Sequence, residues 1–112
     1  VKTALTCGRG GEVFVPKAPS CDMATVAEAF APDCKQMIIG ARRGEKKHET
    51  LISADESRDT FDCRDHYRIE PVRVWETGDT PLPGLPVPEG WSYRSDTNDW
   101  RITAEELRTL WP

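Results

Sequence analysis

The residues best suited to bind an anion lie in the stretch GARRGEKKHETLIS, from Gly40 to Ser53. Arg42 and Arg43 are adjacent, and an arginine guanidinium can grip two oxygens of a phosphate at once. Glu45 would lie in the first turn of a helix that follows, and the unpaired N–H groups of a helix N-terminus favour negative charge. The pattern predicts a phosphate-binding loop, and a solvated basic turn is the alternative.

A second group of residues has a metal-like spacing. Cys63 and His66 form Cys-x-x-His, with Asp62 and Asp65 beside them. Structural zinc takes four ligands, and no second ligand pair is close in the sequence, so we expect no metal. The chain also has no Tyr-x-x-x-Lys and no recognisable Ser/His/Asp arrangement, so we expect no catalytic residue. A hydrolase or metalloenzyme built on Cys63, His66 and the acidic run at 55–65 stays open as an alternative.

Composition narrows the function classes. The 112 residues are 30% charged and 38% hydrophobic, which is typical of one globular domain, here residues 1–112. The net charge of −4 predicts neither nucleic-acid nor anionic-membrane binding, and no apolar run is long enough to span a bilayer. Four cysteines without a CxxC pair, and no signal-peptide pattern, predict reduced thiols in a cytoplasmic protein.

The first half of the chain predicts alternating helices and strands. VKTAL is typical of the end of a helix, and Glu12–Val15 predicts a strand. A helix is expected next, capped by Ser20 or Asp22 and stopped by Pro32. Gln36–Ala41 predicts a second strand, and a helix is expected after Gly44. Two apolar patterns support the helices: a sheet-facing stripe of Met23, Val26, Ala27 and Phe30, and the later spacing of His48, Leu51 and Ile52.

The second half predicts shorter elements. Ser53 and Glu56 match a capping box, so a short helix is expected to run to about Asp59. Period-two alternation from Phe61 to Ile69, interrupted at Asp65, predicts a strand or two extended pieces. Five prolines and three glycines in residues 71–90 predict an extended arm, with Trp75, Leu82, Leu85 and Trp91 as anchors.

The last residues predict a C-terminal helix. Thr103 and Glu106 form a second capping box, and Ile102 with Leu107 a hydrophobic staple. We expect Leu107, Leu110 and Trp111 to form its buried face. Together the patterns predict an α+β (or α/β) lobe of two or three short strands packed by helices, with a right-handed crossover.

Six blocks in order carry a family resemblance: GGEVFVPKAPS, VAEAFAP, IIGARRGEKKHETLIS, ESRDTFDCRDHYRI, VPEGWSYRSDTND and ITAEELRTL. They resemble the C-terminal third of the inverting UDP-N-acetylglucosamine dehydratases. These enzymes are extended short-chain dehydrogenase/reductases of bacterial polysaccharide and pseudaminic acid biosynthesis. The resemblance covers essentially the whole chain.

The resemblance implies roles for four residues. In the family's Arg-Pro-Gly-Glu block the arginine is expected at the nucleotide diphosphate and the acid near the ribose, and these positions are Arg42 and Glu45. Arg43 replaces the usual proline, and its charge is available to a phosphate. Lys17 is a further candidate on the substrate side.

The resemblance also implies what this chain leaves out. The family's Rossmann half, with NADP(H) and the Tyr/Lys pair, is not in these residues, so no cofactor is expected here. The expected function is a non-catalytic UDP-sugar lobe, present as a fragment or truncated product. Its expected partners are a weakly bound UDP-sugar and either a second copy or a Rossmann domain. A stand-alone protein-binding or regulatory module is the alternative.

Overall fold

The computed structural model describes residues 1–71 and 82–111. The chain groups into two compact units, the first of residues 1–17 and 50–93 and the second of residues 18–49 and 94–112. This grouping leaves the prediction of one domain untested. The elements in chain order are α1 (Lys2–Cys7), β1 (Val13–Pro16), α2 (Met23–Phe30), β2 (Thr50–Ile52), a 3-10 helix (Asp55–Asp59), β3 (Thr60–Asp62), β4 (His66–Ile69), β5 (Leu85–Pro86), β6 (Tyr93–Arg94) and α3 (Ala104–Leu110).

A four-stranded sheet organises the first unit. Its strand order is β1-β4-β3-β5, and each neighbouring pair is antiparallel. Strands β2 and β6 form a separate two-stranded sheet. Mixed helices and antiparallel strands confirm the α+β prediction. The described strands number six rather than two or three, and neighbours in the four-stranded sheet are all antiparallel, so this sheet does not contain the parallel crossover that was expected.

Alternation along the strands gives the sheet two different faces. Val15 pairs with Tyr67 in register, and their side chains pack with Ile52 and Tyr93 in the core. Directly opposite residues share a face and successive ones alternate, so Phe14, Arg68 and Phe61 lie across three strands on the other face. One face is therefore the core and the other presents a buried arginine between two aromatic rings.

The β3–β4 hairpin confirms the prediction of two extended pieces interrupted near Asp65. Arg64 takes a left-handed conformation with φ of 77°, and its N–H donates to the Asp62 carboxylate at 2.9 Å. The Asp65 N–H donates to the Cys63 carbonyl at 3.2 Å. The turn therefore reverses the chain at the point where the period-two pattern breaks.

Of the two predicted capping boxes, the one at Thr103 forms completely and the one at Ser53 only in part, because the Ser53 side chain does not accept from the Glu56 N–H. The Glu56 carboxylate accepts from the Ser53 N–H and hydroxyl at 2.8 and 2.7 Å, and these bonds lower the pKa of Glu56. The element that follows is a 3-10 helix rather than an α-helix. Thr103 and Glu106 cap α3 reciprocally, as predicted.

In the second unit α2 packs against α3. Asp22 caps α2 by accepting from the Thr25 N–H, and the helix ends at Phe30, before Pro32. The Arg108 Nε donates to the Ala29 carbonyl at 2.9 Å, which joins the two helices. The longest described helix has eight residues, so none in the described part of the chain is long and apolar enough to cross a membrane.

Several local predictions in both units are wrong. Residues 36–41 form no strand, and β2 rather than a helix contains Leu51 and Ile52. A strand needs a neighbouring strand for its hydrogen bonds, and none of the described strands pairs with residues 36–41. The expected stripe on α2 and buried face on α3 also fail at their ends, because four of their residues are more than half exposed: Met23, Phe30, Leu110 and Trp111.

The predicted arm lies partly outside the described residues, which do not include Trp75. From Leu82 onward, the chain is extended and joins the sheet edge, where β5 pairs with β3. Trp91 packs against the core as predicted, and the Gly90 N–H donates to the Ser57 hydroxyl at 2.9 Å. Leu85 does not anchor the segment, since 75% of it is exposed.

Candidate functional site

The predicted phosphate-binding residues form a tight turn in the second unit. The Glu45 carboxylate accepts from the Arg42 N–H at 2.6 Å, and the Glu45 N–H donates to the Arg42 carbonyl at 3.1 Å. Gly40 and Gly44 flank the turn with φ of 77° and 81°, which a glycine adopts without steric cost. The structure therefore brings Arg42 and Glu45 together, as the motif requires.

The arginine side chains of this turn are exposed. Among residues 1–71 and 82–111, neither Arg42 nor Arg43 has a side-chain hydrogen bond or ion pair. No helix follows, so the expected helix N-terminus does not add its N–H groups to this site. The turn offers two available guanidinium groups, which can bind a phosphate by charge and hydrogen bonds alone.

Two contacts hold the C-terminal end of this loop. The Glu49 N–H donates to the Ser95 hydroxyl at 3.0 Å, and the Ser95 N–H donates to the Glu49 carbonyl at 2.9 Å. His48 lies 3.8 Å from the Asp96 carboxylate, which also accepts from Arg94. His48 therefore belongs to a polar contact and not to the apolar helix face that its spacing predicted.

Lys17 lies in the first unit and already has partners there. Its Nζ donates to both Asp62 carboxylate oxygens at 2.8 and 2.9 Å and lies 4.7 Å from the centre of the Tyr67 ring. Burial lowers the pKa of Lys17, but its hydrogen bond to Asp62 and the nearby negative charge together outweigh burial, so the pKa lies above its ordinary value. Lys17 is therefore a charged, oriented side chain.

A groove of about 970 Å³ opens beside Lys17, within the first unit. Helix α1, strand β1 and the β3–β4 hairpin contribute to its walls, together with residues 82–85. Charged hairpin residues line it, namely Asp62, Arg64, His66 and Arg68. The sequence reasoning missed this groove. The period-two pattern in 60–69 was the available signal, because it places His66 and Arg68 on one face.

Cys63 and His66 both line the groove but do not form a zinc pair. The Cys63 Sγ is 3.4 Å from an Arg68 guanidinium nitrogen, and burial raises the pKa of the Cys63 thiol. The His66 Nδ1 is 2.6 Å from the Asp65 carboxylate. Within the described residues, no group of three or more His, Cys, Asp or Glu side chains is arranged to hold a metal ion.

The glycine-rich loop Gly8–Gly11 does not fit a dinucleotide. It precedes strand β1, whereas the dinucleotide-binding loop follows a strand. The Glu12 carboxylate accepts from the N–H groups of Arg9 and Gly10 at 2.8 to 3.1 Å. These N–H groups are therefore already bound to an anion of the chain itself.

Comparison with known proteins identifies relatives over most of the chain. The inverting UDP-N-acetylglucosamine 4,6-dehydratase of Campylobacter jejuni subsp. jejuni serotype O:2 is 38% identical over 105 residues, which is 88% of this chain and 31% of that protein. The UDP-glucose 4-epimerase of Rickettsia canadensis is 39% identical over 70 residues, which is 59% of this chain and 20% of that protein. The chain spans about a third or less of these relatives.

A solved structure is also similar to most of this chain. The X-ray structure of Pen from Bacillus thuringiensis matches 97% of this chain and 32% of that chain, with a TM-score of 0.70 and 29% identity. The family model described as polysaccharide biosynthesis protein matches residues 1–71 of the 112. Since that match covers more than half of its residues, the chain belongs to the polysaccharide biosynthesis protein family.

Proposed function

We propose that the chain is the UDP-sugar-binding lobe of a cytoplasmic, dehydratase-like enzyme of bacterial surface polysaccharide biosynthesis, acting on UDP-N-acetylglucosamine. The observation that carries the proposal is the 38% identity to the Campylobacter jejuni dehydratase across 88% of this chain. We further propose that the chain corresponds to the C-terminal part of such an enzyme, as its ordered sequence blocks indicate.

The Arg42–Glu45 turn supports the binding role. Arg42 and Arg43 are both exposed and suited to a diphosphate, which takes bidentate charge-assisted hydrogen bonds. Glu45 holds the Arg42 backbone through one carboxylate oxygen, and its second oxygen has an acceptor position for a ribose hydroxyl. Lys17 donates to both oxygens of Asp62, so it contacts a substrate only when it gives up one of these two hydrogen bonds.

Turnover would require residues that this chain lacks. The sequence has no Tyr-x-x-x-Lys, and the Gly8–Gly11 loop donates its N–H groups to Glu12. The NADP of the family would therefore be held by a Rossmann domain outside these residues. We propose that this chain alone is not an enzyme.

An exposed apolar segment supports contact with another protein surface. Met37, Ile38 and Ile39 are 81%, 98% and 70% exposed. Large apolar side chains that adjoin each other in solvent are typical of interaction sites. A Rossmann domain or a second copy of the chain is the proposed partner. The same segment also favours the alternative function, a protein-binding module that has kept the fold without binding UDP-sugars.

A chimera tests the proposed function. This chain replaces the matching segment of the Campylobacter jejuni dehydratase, and dehydration of UDP-N-acetylglucosamine is measured with NADP bound. We expect activity in the chimera and a loss of roughly tenfold or more in kcat/KM for Arg42→Ala, since a charge-assisted contact to phosphate is worth about 1.5–3 kcal/mol. Arg58→Ala is the matched control, an exposed arginine without a described side-chain partner.

Titration calorimetry of the isolated chain with UDP-N-acetylglucosamine separates the two functions. Weak binding that Arg42→Ala abolishes supports the UDP-sugar lobe. A folded chimera that binds NADP but has no activity, or one in which Arg42→Ala and Arg58→Ala behave alike, contradicts it. No binding by the chain combined with an inactive chimera would favour the protein-binding module.

A further inference from the structure

The groove of the first unit has a charge opposite to that of the whole chain. Among the described residues, four cationic side chains line it, Arg9, Lys17, Arg64 and Arg68, together with one carboxylate, that of Asp62. The chain as a whole carries −4. A cleft lined by one sign of charge attracts ligands of the opposite sign. Its volume of about 970 Å³ is sufficient for a small organic molecule.

Two of these cations are rigidly held. Arg68 is 4% exposed and donates to the Glu70 carboxylate at 2.7 Å and to the Pro83 carbonyl at 2.9 Å. Lys17 is fixed by Asp62, whose pKa burial raises but the bonds from Lys17 and Arg64 lower below its ordinary value. These contacts neutralise part of the positive charge of the groove and hold the Arg68 and Lys17 side chains in fixed orientations.

Arg64 is the cation available to a ligand. It is exposed, lines the groove, and has no side-chain hydrogen bond or ion pair among the described residues. Its left-handed backbone is fixed by its own N–H, which donates to Asp62. The hairpin therefore has a long cationic side chain at a left-handed backbone position, where asparagine or glycine is more usual.

Part of the remaining lining is apolar, and it contains two flat rings. The Phe14 ring and the His66 imidazole are 5.6 Å apart, and Leu82, Pro83 and Leu85 line the same groove. Apolar walls with a few placed polar groups are the usual composition of a small-molecule site. A ligand that fits both features has a flat or apolar body and one anionic group.

We propose that this groove binds a small organic anion, a phosphate or carboxylate attached to a flat apolar body, with Arg64 contacting the anionic group and Phe14 the body. The site shares Lys17 with the proposed UDP-sugar site but goes beyond that function, because it contains neither Arg42 nor Glu45 and its anion contact is Arg64. It is a second ligand site, on the first unit.

Nuclear magnetic resonance titration of the whole chain tests the proposal with simple probes. Phenyl phosphate and benzoate carry the two kinds of anionic group on one ring, benzyl alcohol lacks the charge, and inorganic phosphate lacks the body. We expect saturable shifts of the amides of Lys17, Arg64 and His66 with at least one of the aromatic anions. Benzyl alcohol and inorganic phosphate are expected to bind at least about tenfold more weakly, because the first lacks the anionic group and the second lacks the ring.

Arg64→Asn is the decisive variant, because asparagine tolerates the left-handed backbone and removes only the charge. We expect it to weaken probe binding by about tenfold or more, an effect in the range of one charge-assisted hydrogen bond. Arg58→Asn, which changes an exposed arginine of the same unit that does not line the groove, is expected to leave binding unchanged. An unperturbed spectrum outside the hairpin shows that each variant is folded.

The outcomes also separate this site from the proposed function. Equal binding by the wild type and Arg64→Asn overturns the groove site. So does the absence of saturable shifts with every probe, and so do shifts confined to Arg42–Glu45. The last result would leave the UDP-sugar proposal standing. Shifts at Lys17, Arg64 and His66 together with an inactive dehydratase chimera would leave the groove site standing alone.

Discussion

Replacing Arg68 with methionine removes the charged side chain that joins strand β4 to residues 82 and 83. Its guanidinium donates to the Pro83 carbonyl at 2.9 Å, to the Leu82 carbonyl at 3.3 Å and, through Nε, to the Glu70 carboxylate at 2.7 Å. It also lies 5.3 Å from the centre of the Phe61 ring. Methionine keeps an unbranched apolar stem between the rings but satisfies none of these acceptors.

The cost follows from which acceptors water can reach. Hydrogen bonds to a charged group contribute about 1.5–3 kcal/mol each and do not add, and breaking a buried ion pair costs about 3–5 kcal/mol. The Glu70 side chain is 23% exposed, so water replaces part of its lost bond. We therefore expect Arg68→Met to lower the free energy of unfolding by about 3 kcal/mol. That is a large part of the roughly 5–15 kcal/mol typical of a domain.

Urea unfolding followed by tryptophan fluorescence measures this change. With a slope of about 1–3 kcal/mol/M, a loss of about 3 kcal/mol moves the midpoint by at least about 1 M. Arg68→Lys keeps the charge without the planar fork, so its loss should lie between those of the wild type and Arg68→Met. Arg58→Met is the control, at an exposed arginine of the same unit. If the two methionine variants differ by less than about 0.5 kcal/mol, the inferred role of Arg68 is wrong.

Two further predictions concern the charges and the exposed surface. Asp62→Asn should cost about 1 kcal/mol at neutral pH, since the pair with Lys17 is partly exposed. The pKa of Asp62 is lowered from 3.8 by folding, so this contribution is complete above that value and is lost as the pH falls through the lower folded pKa. Urea titrations of both proteins should converge in acid, and a gap that widens there contradicts the assignment. In sedimentation equilibrium we expect the wild type to self-associate with concentration and Ile38→Asp to remain at 12.6 kDa. A wild-type protein of that mass at every concentration refutes the proposed contact.

The sequence predicted the elements whose cause is local. The Thr103–Glu106 capping box, the end of α2 before Pro32 and the interrupted strand at Asp65 each depend on residues a few positions apart. The Arg42–Glu45 turn also has a local cause, since its two hydrogen bonds span three residues, although the sequence predicted a strand before it and a helix after it. Local side-chain and backbone chemistry is sufficient to predict such features.

The errors occur where a distant partner decides the structure. The spacing of His48, Leu51 and Ile52 suits a helix, yet Thr50–Ile52 pairs with β6 more than forty residues later, and Ile52 is completely buried there. Lys17 meets Asp62 at a separation of 45 positions, so no local pattern could reveal its partner. The groove is likewise built from separate stretches of chain, which explains why only its hairpin wall had a sequence signal.

The Glu45 carboxylate has a structural role in addition to the ligand contact that the family resemblance implies. The family resemblance places this acid near the ribose, which makes it a ligand contact. In the structure its Oε2 accepts from the Arg42 N–H at 2.6 Å, so the same carboxylate also fixes the arginine backbone. Removing the side chain would therefore alter the position of Arg42 as well as any ribose contact, and a loss of binding in Glu45→Ala alone would not separate the two. Glutamine keeps one carbonyl oxygen as an acceptor for the Arg42 N–H, but it loses the negative charge and replaces the second oxygen with an NH2 donor. The difference between Glu45→Gln and Glu45→Ala therefore isolates the positioning of Arg42 from the charge at the ribose.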